Sequence, residues 1–323
     1  MTTLPLPVDH FRGDPLGYVT SRLYGLLEHS RNDRLLFALG SRSARTALML
    51  ASLRGRLRHR LGLDPRPEEL AALFPHAAPR ETLRWAQDIA ANEAKDKLLY
   101  RLVGCHGVSW MIPLLRIRDD ARRSILAAAQ TPTIFFFAHI GATYGVAAGL
   151  GALGVRTMVL RRGNKVFSYP PSFEGWHAAT VEHSILSLKR AAEFLKNGGC
   201  VLMALDGPEG NASLVRRLLG RQVRLPRGIQ VLHNLTHAPV VPVSSPWSSG
   251  YRFDLVAHPP LIAAGDPPAA DVVDRAVRWL TDTLTRDPTQ LRSNYFRSHA
   301  VPDEAPVASG DAMNRPVRPA PQP

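Results

Sequence analysis

Residues 133–138 read Thr-Ile-Phe-Phe-Phe-Ala, and a histidine, His139, follows them directly. An unbroken run of aromatic and β-branched residues is typical of a strand that is buried on both faces of a sheet. The Gly- and Ala-rich stretch from Tyr144 to Leu153 then predicts a helix. A buried strand that leads into a helix is the repeating unit of an α/β fold.

The same alternation continues along the chain. Strands are predicted at 156–160, 200–205, 240–243 and 252–257, and helices at 187–196, 229–235 and 271–286. Cys200 is expected to be a buried strand residue, because it begins an apolar run. Strands that alternate with helices form mostly parallel sheets with right-handed connections. The sequence therefore predicts an α/β core over residues 131–300, with a mostly parallel central sheet flanked by helices.

Helical patterns dominate the chain before this core. Apolar residues recur at three- and four-residue spacing between Tyr24 and Leu50, and prolines followed by acidic residues mark helix starts at Pro67 and Pro79. We expect residues 15–130 to form a helical region packed on the core and residues 1–14 to be flexible. The tail 301–323 is rich in Pro, Ala and Asp without periodicity, which predicts disorder.

Composition narrows the functional classes. The chain has 323 residues, 45% of them hydrophobic, with a formal net charge of +13, which suits a globular protein whose surface attracts anions. Basic residues are spread along the chain without a nucleic-acid-binding motif, so nucleic acid is not an expected partner. The N-terminus lacks the pattern of a signal peptide, and no apolar run is long enough to span a membrane. We expect a soluble cytoplasmic protein with at most a peripheral contact to an anionic membrane.

The cysteine and histidine content argues against a metal centre. Two cysteines cannot build a disulfide framework or a cysteine-based zinc site. The histidines are scattered, and His233 and His237 have no obvious third ligand nearby, so both are predicted on a helical surface. No bound metal or cofactor is expected.

Two strand ends carry side chains that could take part in a chemical reaction. His139 follows the first core strand, and Asp206 follows the third in Leu-Asp-Gly-Pro-Glu, residues 205–209. In α/β sheets ligands bind beyond the carboxyl ends of the strands. His139 is therefore a candidate general base, or else a cap for the next helix. Asp206 either orients that base or caps its own turn, and Glu209 is a second carboxylate in the same loop.

Basic side chains follow other strand ends. Arg161, Arg162, Asn164 and Lys165 come after the second strand, and Arg221 and Arg227 precede a predicted helix that starts near Gly228. Guanidinium groups beside a helix N-terminus suit phosphate or another anion. For each arginine taken alone, a solvated surface position is the alternative.

Taken together, these motifs resemble, in their order along the chain, those of the lauroyl/myristoyl acyltransferases of lipid A synthesis. Their relatives include the phosphatidylinositol-mannoside acyltransferases, and both belong to the lysophospholipid acyltransferase superfamily. The matching features are strand-His, strand-Arg, strand-Asp-Gly, a Pro-x-Gly helix start at 226–228 and the run Ala238–Val243. The Phe-Pro pair at 74–75 and the segment Asp-Pro-Thr-Gln at 287–290 look similar to that family too. The resemblance covers about residues 60 to 295.

The resemblance implies a glycerolipid-acyltransferase-like fold and acyl transfer. An acyl group would pass from acyl-CoA or an acyl carrier protein, as thioester co-substrate, to a hydroxyl or amine of a lipid or carrier-bound acceptor. His139 would be the base, Asp206 its supporting carboxylate, and Tyr144 would line the acceptor pocket. Arg161, Arg162, Asn164, Glu209, Arg221 and Arg227 would bind substrate.

The sequence departs from the family pattern at position 144. The family places Asp or Glu five residues after the histidine, whereas this chain has Tyr144, whose phenol is neutral at pH 7. Asp206 or Glu209 could supply the missing charge, or His139 could act alone with Tyr144 binding substrate. The scaffold could also serve another step, such as an intramolecular displacement or cyclisation with an anionic leaving group, or act as a non-catalytic partner subunit.

His177 and Glu182 reproduce the family's His-x4-Glu spacing elsewhere in the chain. They lie where the family has no catalytic turn. We interpret this pair as part of a surface helix or loop.

Overall fold

A computed structural model of the protein describes residues 43–60, 67–106, 108–161, 176–180, 185–206, 213–267, 269–292 and 295–296. The α-helices in this part of the chain are α1 (Ala44–Arg60), α2 (Pro67–Leu73), α3 (Pro79–His106), α4 (Asp119–Ala128), α5 (Thr143–Ala152), α6 (Ile185–Lys196), α7 (Gly228–Thr236) and α8 (Val272–Arg286). The strands are β1 (Leu115–Ile117), β2 (Ile134–Phe137), β3 (Thr157–Arg161), β4 (Trp176–Thr180), β5 (Cys200–Ala204), β6 (Ser213–Leu218), β7 (Arg221–Pro226), β8 (Val240–Ser244), β9 (Trp247–Ser248) and β10 (Arg252–Ala257). Short 3-10 helices lie at Val108–Leu114, Ser249–Tyr251 and Pro288–Gln290.

The central sheet is mostly parallel, and β2 lies near its middle. The strand order is β1-β10-β8-β2-β5-β3-β4, and the short strand β9 pairs with β10. The pairs of β10 with β8 and with β9 are antiparallel, whereas the remaining pairs of this sheet are parallel. Ile134, Phe135 and Phe136 are fully buried, as expected for a strand with neighbours on both sides and helices on both faces. The mixed α/β class and the mostly parallel sheet predicted from the sequence are confirmed.

Two helical layers cover the sheet. Residues of α4 and α5 pack on the face that carries Phe135 and Leu202. Residues of α3, α6, α7 and α8 pack on the opposite face, around Phe136 and Met203. A third buried cluster joins α1 and α3 to Phe253 of β10. The region before the core is thus packed against the sheet through shared apolar side chains.

The predicted helix starts have the expected local chemistry. Helix α3 begins at Pro79, and the backbone N–H of Ala78 donates a hydrogen bond to the Glu81 carboxylate at 3.0 Å. Proline lacks the N–H that a first helical turn leaves unpaired, and the glutamate satisfies a donor just before it. Helix α3 continues to His106.

Several strands were not predicted. The region expected to be only helical contains β1, which extends the sheet edge beside β10. Strands β6 and β7 form a hairpin with Leu219 and Gly220 in its turn, both at positive φ. The hairpin went unrecognised because its turn, Leu-Gly, is not one of the common Asn-Gly or Asp-Gly pairs. The two-residue strand β9 was also missed.

Two histidine predictions are wrong. His177 lies on strand β4, opposite Met158 of β3, and not on a helix or loop. Its partner in that spacing, Glu182, lies outside the described residues. His233 is fully buried rather than on a helical surface, and its Nδ1 lies 2.9 Å from the Ala238 carbonyl oxygen. His237 is exposed at the end of α7 with a φ of 54°.

None of the helices in the described ranges is both long enough and apolar enough to cross a membrane. The predicted flexible N-terminus at 1–14 and the predicted disordered tail at 301–323 lie outside the described residues. Cys200 is buried in β5, as predicted.

Close packing beneath α5 yields a first testable prediction. A Cβ at Gly145 would lie 2.1 Å from Ser245 Oγ and 2.7 Å from the Phe253 ring, and the ring is itself buried. We expect Gly145→Ala to lower the free energy of unfolding by about 1–3 kcal/mol, because an overpacked core must move. Chemical denaturation measures this value.

Gly149→Ala on the same helix is the matched comparison. Its Cβ would approach the methyl groups of Leu255 at 2.6 Å and 2.8 Å, and although Leu255 is also buried, the end of a flexible side chain adjusts more easily than an aromatic ring. We expect a smaller loss of stability than for Gly145→Ala. Equal stabilities of the two variants and the wild type would contradict this account of the packing.

Candidate functional site

The centre of the candidate site is fixed by the pairing of β2 with β5. Phe137 lies opposite Ala204 in the parallel register, and the Leu205 N–H donates to the Phe137 carbonyl at 2.7 Å. His139 and Asp206 each stand two residues beyond this last pair, so the register brings them side by side at the carboxyl edge of the sheet. Ligands bind at this edge in parallel α/β sheets.

His139 and Asp206 are joined by hydrogen bonds to both the backbone and the ring. The His139 N–H donates to Asp206 Oδ1 at 3.0 Å and Oδ2 at 2.8 Å, and its ring Nδ1 lies 2.8 Å from Oδ1. The Asp206 side chain is completely buried, whereas one third of the His139 side chain is exposed. With Nδ1 held by the carboxylate, Nε2 is the nitrogen left to meet a substrate.

The environment of Asp206 keeps it ionised. Burial alone raises the pKa of this carboxyl, but the charge of His139, the hydrogen bonds from His139 and one from Tyr295 together hold the pKa below its usual value. Tyr295 is itself buried, and burial together with the neighbouring Asp206 charge raises the pKa of its phenol well above 10. The ionised Asp206 carboxylate thus lies against Nδ1 of the imidazole, and the protonated phenol of Tyr295 also donates a hydrogen bond to this carboxylate.

A second carboxylate lies close enough for its charge to interact with that of His139. Asp96, on α3, is buried and forms an ion pair with Arg292. Burial raises the pKa of Asp96, and the charges of Arg292 and then His139 partly offset this rise. The same Arg292 nitrogen, Nη2, donates to Thr143 Oγ1 at 2.6 Å at the start of α5.

The segment that follows α8 is hydrogen-bonded to the turn after His139. The carbonyl of Gln290 accepts from the Gly141 N–H at 2.9 Å, and Gln290 Oε1 accepts from the Trp247 N–H at 2.8 Å. Gly141 has a φ of 59°, and a Cβ there would lie 2.6 Å from the Ser245 carbonyl oxygen, so the turn after His139 requires glycine. The Asp-Pro-Thr-Gln segment therefore anchors the turn that carries the candidate base.

The other predicted site residues lie on several different elements. Tyr144 is half-buried and packs against the cluster that joins α1, α3 and Phe253. Arg221 and Arg227 are exposed at the two ends of β7 and its connection to α7, and Arg221 lies over the Phe296 ring at 5.6 Å. The backbone of Arg161 ends strand β3. The predictions for Arg162, Asn164, Lys165 and Glu209 lie outside the described residues.

Sequence reasoning missed Asp96, Thr143, Arg292 and Tyr295. A signal existed for Asp96, because it stands midway between Ile89 and Val103 at seven-residue spacing, and both of these are buried on α3. A carboxylate on the buried stripe of an amphipathic helix needs a partner. Arg292 and Tyr295 lie just beyond the Pro-Thr-Gln segment, and nothing in their local sequence distinguishes them.

A separate serine–histidine pair joins the end of β8 to the residue that follows β10. Ser244 Oγ is 2.8 Å from His258 Nε2, and the His258 ring packs edge-on against Trp279. Burial and then the charge of Arg286 lower the pKa of His258 to about 4. Among the described residues, the charge that acts on His258 is that of Arg286, a cation, and not the anionic support that a serine nucleophile's base requires. We interpret the pair as structural.

His258 gives a prediction for the pH dependence of stability. A folded-state pKa of about 4 against 6.5 when unfolded means that the unfolded chain binds the extra proton between these pH values. Folding stability therefore rises with pH across this window, and the wild type loses up to about 3 kcal/mol from this group on going from pH 7 to pH 4.

The test compares the wild type with His258→Gln by urea unfolding at a series of pH values. The wild type's stability relative to the variant is expected to increase from pH 4 to pH 6.5 and to level off above that. A difference that does not change with pH would show that His258 titrates alike in the folded and unfolded chains.

No family model matches this chain, and no curated protein matches it in sequence. Within the described ranges, no group of three or more His, Cys, Asp or Glu residues is arranged to hold a metal ion.

Proposed function

We propose that the protein is an acyltransferase in which His139, supported by Asp206, removes a proton from the acceptor. The single observation that carries this proposal is the 2.8 Å contact between His139 Nδ1 and the buried Asp206 carboxylate. It provides the base–carboxylate pair that acyl transfer to a hydroxyl or amine requires. The resemblance to the lipid A and phosphatidylinositol-mannoside acyltransferases supplies the reaction class.

The position of the carboxylate answers the difficulty posed by Tyr144. In the family pattern the acid stands five residues after the histidine, whereas here a carboxylate contacts the ring from the end of β5, 67 residues away. An anion that lies against Nδ1 orients the ring and stabilises the imidazolium, whichever element carries it. On this proposal Tyr144 has no part in the proton transfer and instead lines the pocket that binds the acceptor.

The proposed reaction has two steps. His139 Nε2 takes the proton of the acceptor hydroxyl or amine while the acceptor's oxygen or nitrogen bonds to the thioester carbon. The carbonyl electron pair moves onto oxygen to give a tetrahedral intermediate. This intermediate then breaks its C–S bond, the carbonyl re-forms, and the departing thiolate takes the proton from the imidazolium. The donor would be acyl-CoA or an acyl carrier protein thioester, with no bound cofactor, and the basic surface suits either anionic donor.

The proposal is tested with the purified full-length chain. The protein is incubated with acyl-CoA and acyl carrier protein thioesters of several chain lengths, together with hydroxyl and amine acceptors that include glycolipids and carrier-bound intermediates. Mass spectrometry follows both the acylated acceptor and the released thiol. Transfer above the protein-free rate is the expected result.

Failure to consume any thioester across the panel would overturn the proposal. It would favour a displacement or cyclisation with an anionic leaving group on the same site, or a non-catalytic subunit. These two differ in the response to His139→Ala. A non-catalytic subunit would keep full pathway activity with this substitution.

A further inference from the structure

We propose that Arg292 forms an anion-binding subsite beside His139 which, in the proposed reaction, takes the oxyanion formed on the thioester carbonyl. The inference rests on the proposed function for the identity of the anion. The subsite itself is inferred from contacts of Arg292 that the proposed function does not use.

The first observation is how the guanidinium is held. Arg292 contacts Asp96 and Thr143 Oγ1, and both contacts use the same nitrogen, Nη2. Among the described residues, no hydrogen bond uses its Nε or Nη1. About a quarter of the Arg292 side chain is exposed, at 27%. Guanidinium donors are arranged as a rigid fork, so fixing Nη2 also fixes the direction of the remaining N–H groups.

The second observation is the local charge balance. Arg292 bonds to the first residue of α5, and helix N-termini carry partial positive charge. The residue before this helix, Ala142, offers no side-chain cap. A cation at this end of a helix is unfavourable on its own, and Asp96 supplies the negative charge nearby. An additional anion would be attracted by both the guanidinium and the helix end.

The third observation is the connection to the base. Arg292 Nη2 donates to Thr143 Oγ1 at 2.6 Å, and Thr143 stands four residues after His139 in the chain. The Gly141 N–H donates to the Gln290 carbonyl, two residues before Arg292. Base and guanidinium are thus attached to the same short turn between β2 and α5. In acyl transfer the oxyanion forms one bond away from the atom that the acceptor attacks, so a cation close to the base can stabilise it.

Substitution of Arg292 separates this role from that of the base. We expect Arg292→Gln to lower kcat for acyl transfer by about 10²–10³-fold with little change in KM, since the oxyanion exists only after attack. Arg292→Lys should lose less, because an ammonium keeps the charge but not the fork. Arg278→Gln, at an exposed position on α8, is the matched control and should stay within about twofold of the wild type.

A binding measurement tests the subsite without turnover. The probe is methyl octylphosphonate, a stable tetrahedral monoanion, titrated by calorimetry into the full-length wild type and variants. We expect binding by the wild type and at least about tenfold weaker binding by Arg292→Gln, with Arg278→Gln unchanged. Binding should also weaken with salt.

Arg292→Gln alone leaves Asp96 buried without its partner and risks unfolding. The double variant Asp96→Asn/Arg292→Gln removes both charges and serves as the second test, with near-ultraviolet circular dichroism as the check on folding. The subsite requires weak phosphonate binding in this folded double variant as well.

The outcomes keep the two proposals distinguishable. Acyl transfer that depends on His139 but not on Arg292 would overturn this inference and leave the proposed function standing. If no thioester is consumed, the proposed function fails, and the phosphonate titration alone decides on the subsite. A wild type that does not bind the phosphonate, or binds it as well without Arg292, overturns the inference.

Discussion

Replacing His139 by alanine is expected to reduce acyl transfer by at least about 10²–10⁴-fold, the usual contribution of a general base. The imidazole is the group at this strand end that combines a partly exposed ring with a buried anion behind Nδ1. Without the imidazole, no general base accepts the proton of the acceptor in the transition state. The measurement is the initial rate of acylated product at saturating donor and acceptor.

The control for this experiment is His76→Ala, which removes an exposed histidine before α3. It should retain wild-type activity. In His139→Ala the buried Asp206 carboxylate keeps its hydrogen bonds from the backbone N–H of residue 139, and circular dichroism checks that the variant is folded. A folded His139→Ala variant with undiminished transfer would remove His139 from the mechanism.

Asp206→Asn carries the second large expected effect. Asparagine keeps the size of the side chain but removes the charge that stabilises the imidazolium. In the serine-protease triad the same change costs about 10⁴ in kcat. We expect a loss of about 10²–10⁴-fold in kcat here, with KM little changed, because the charge acts through His139 and not on the substrate. Asp282→Asn, an exposed carboxylate on α8, is the control and should have no effect.

A pH-dependent readout separates positioning by Asp206 from a purely structural role. The folded-state pKa of Asp206 lies below its usual value, so its ionisation stabilises the fold above the unfolded pKa, near 3.9. That stability is lost as the pH falls through the lower folded-state pKa. Asp206→Asn should lack this acid-range component while also shifting the pH profile of transfer. A loss of stability with an unaltered rate profile in the residual activity would contradict a role through the imidazole.

Much of the α/β core and of the helical region before it could be predicted because their elements are specified locally. The run from Ile134 to Phe137 has too many consecutive apolar residues for a half-exposed strand, and Pro79 with Glu81 specifies the start of α3. The elements that escaped prediction depend on pairing with distant chain. Strand β1 has three residues and exists because Leu115–Ile117 lies in register with Phe253–Leu255.

The candidate site shows the same division. His139 and Asp206 could be singled out because each directly follows a strand, where α/β proteins bind ligands. The sequence left Asp206 and Glu209 as alternative partners for the imidazole, because the contact requires β5 to lie beside β2 although β3 and β4 come between them in the chain. Asp96 and Arg292 are 196 residues apart and meet only through the packing of α3 beside the segment after α8.

The order of residues by itself determined, to within one residue, where strands β2, β3, β5, β8 and β10 end, and therefore which side chains follow them at the edge of the sheet. It did so because strand burial and helix starts depend on apolar runs, prolines and acidic residues within a few positions of each other. Only the tertiary structure decided that the carboxylate of Asp206, which follows β5, lies against the imidazole. A hydrogen bond depends on separation in space, and the parallel register of β2 with β5 sets that separation here.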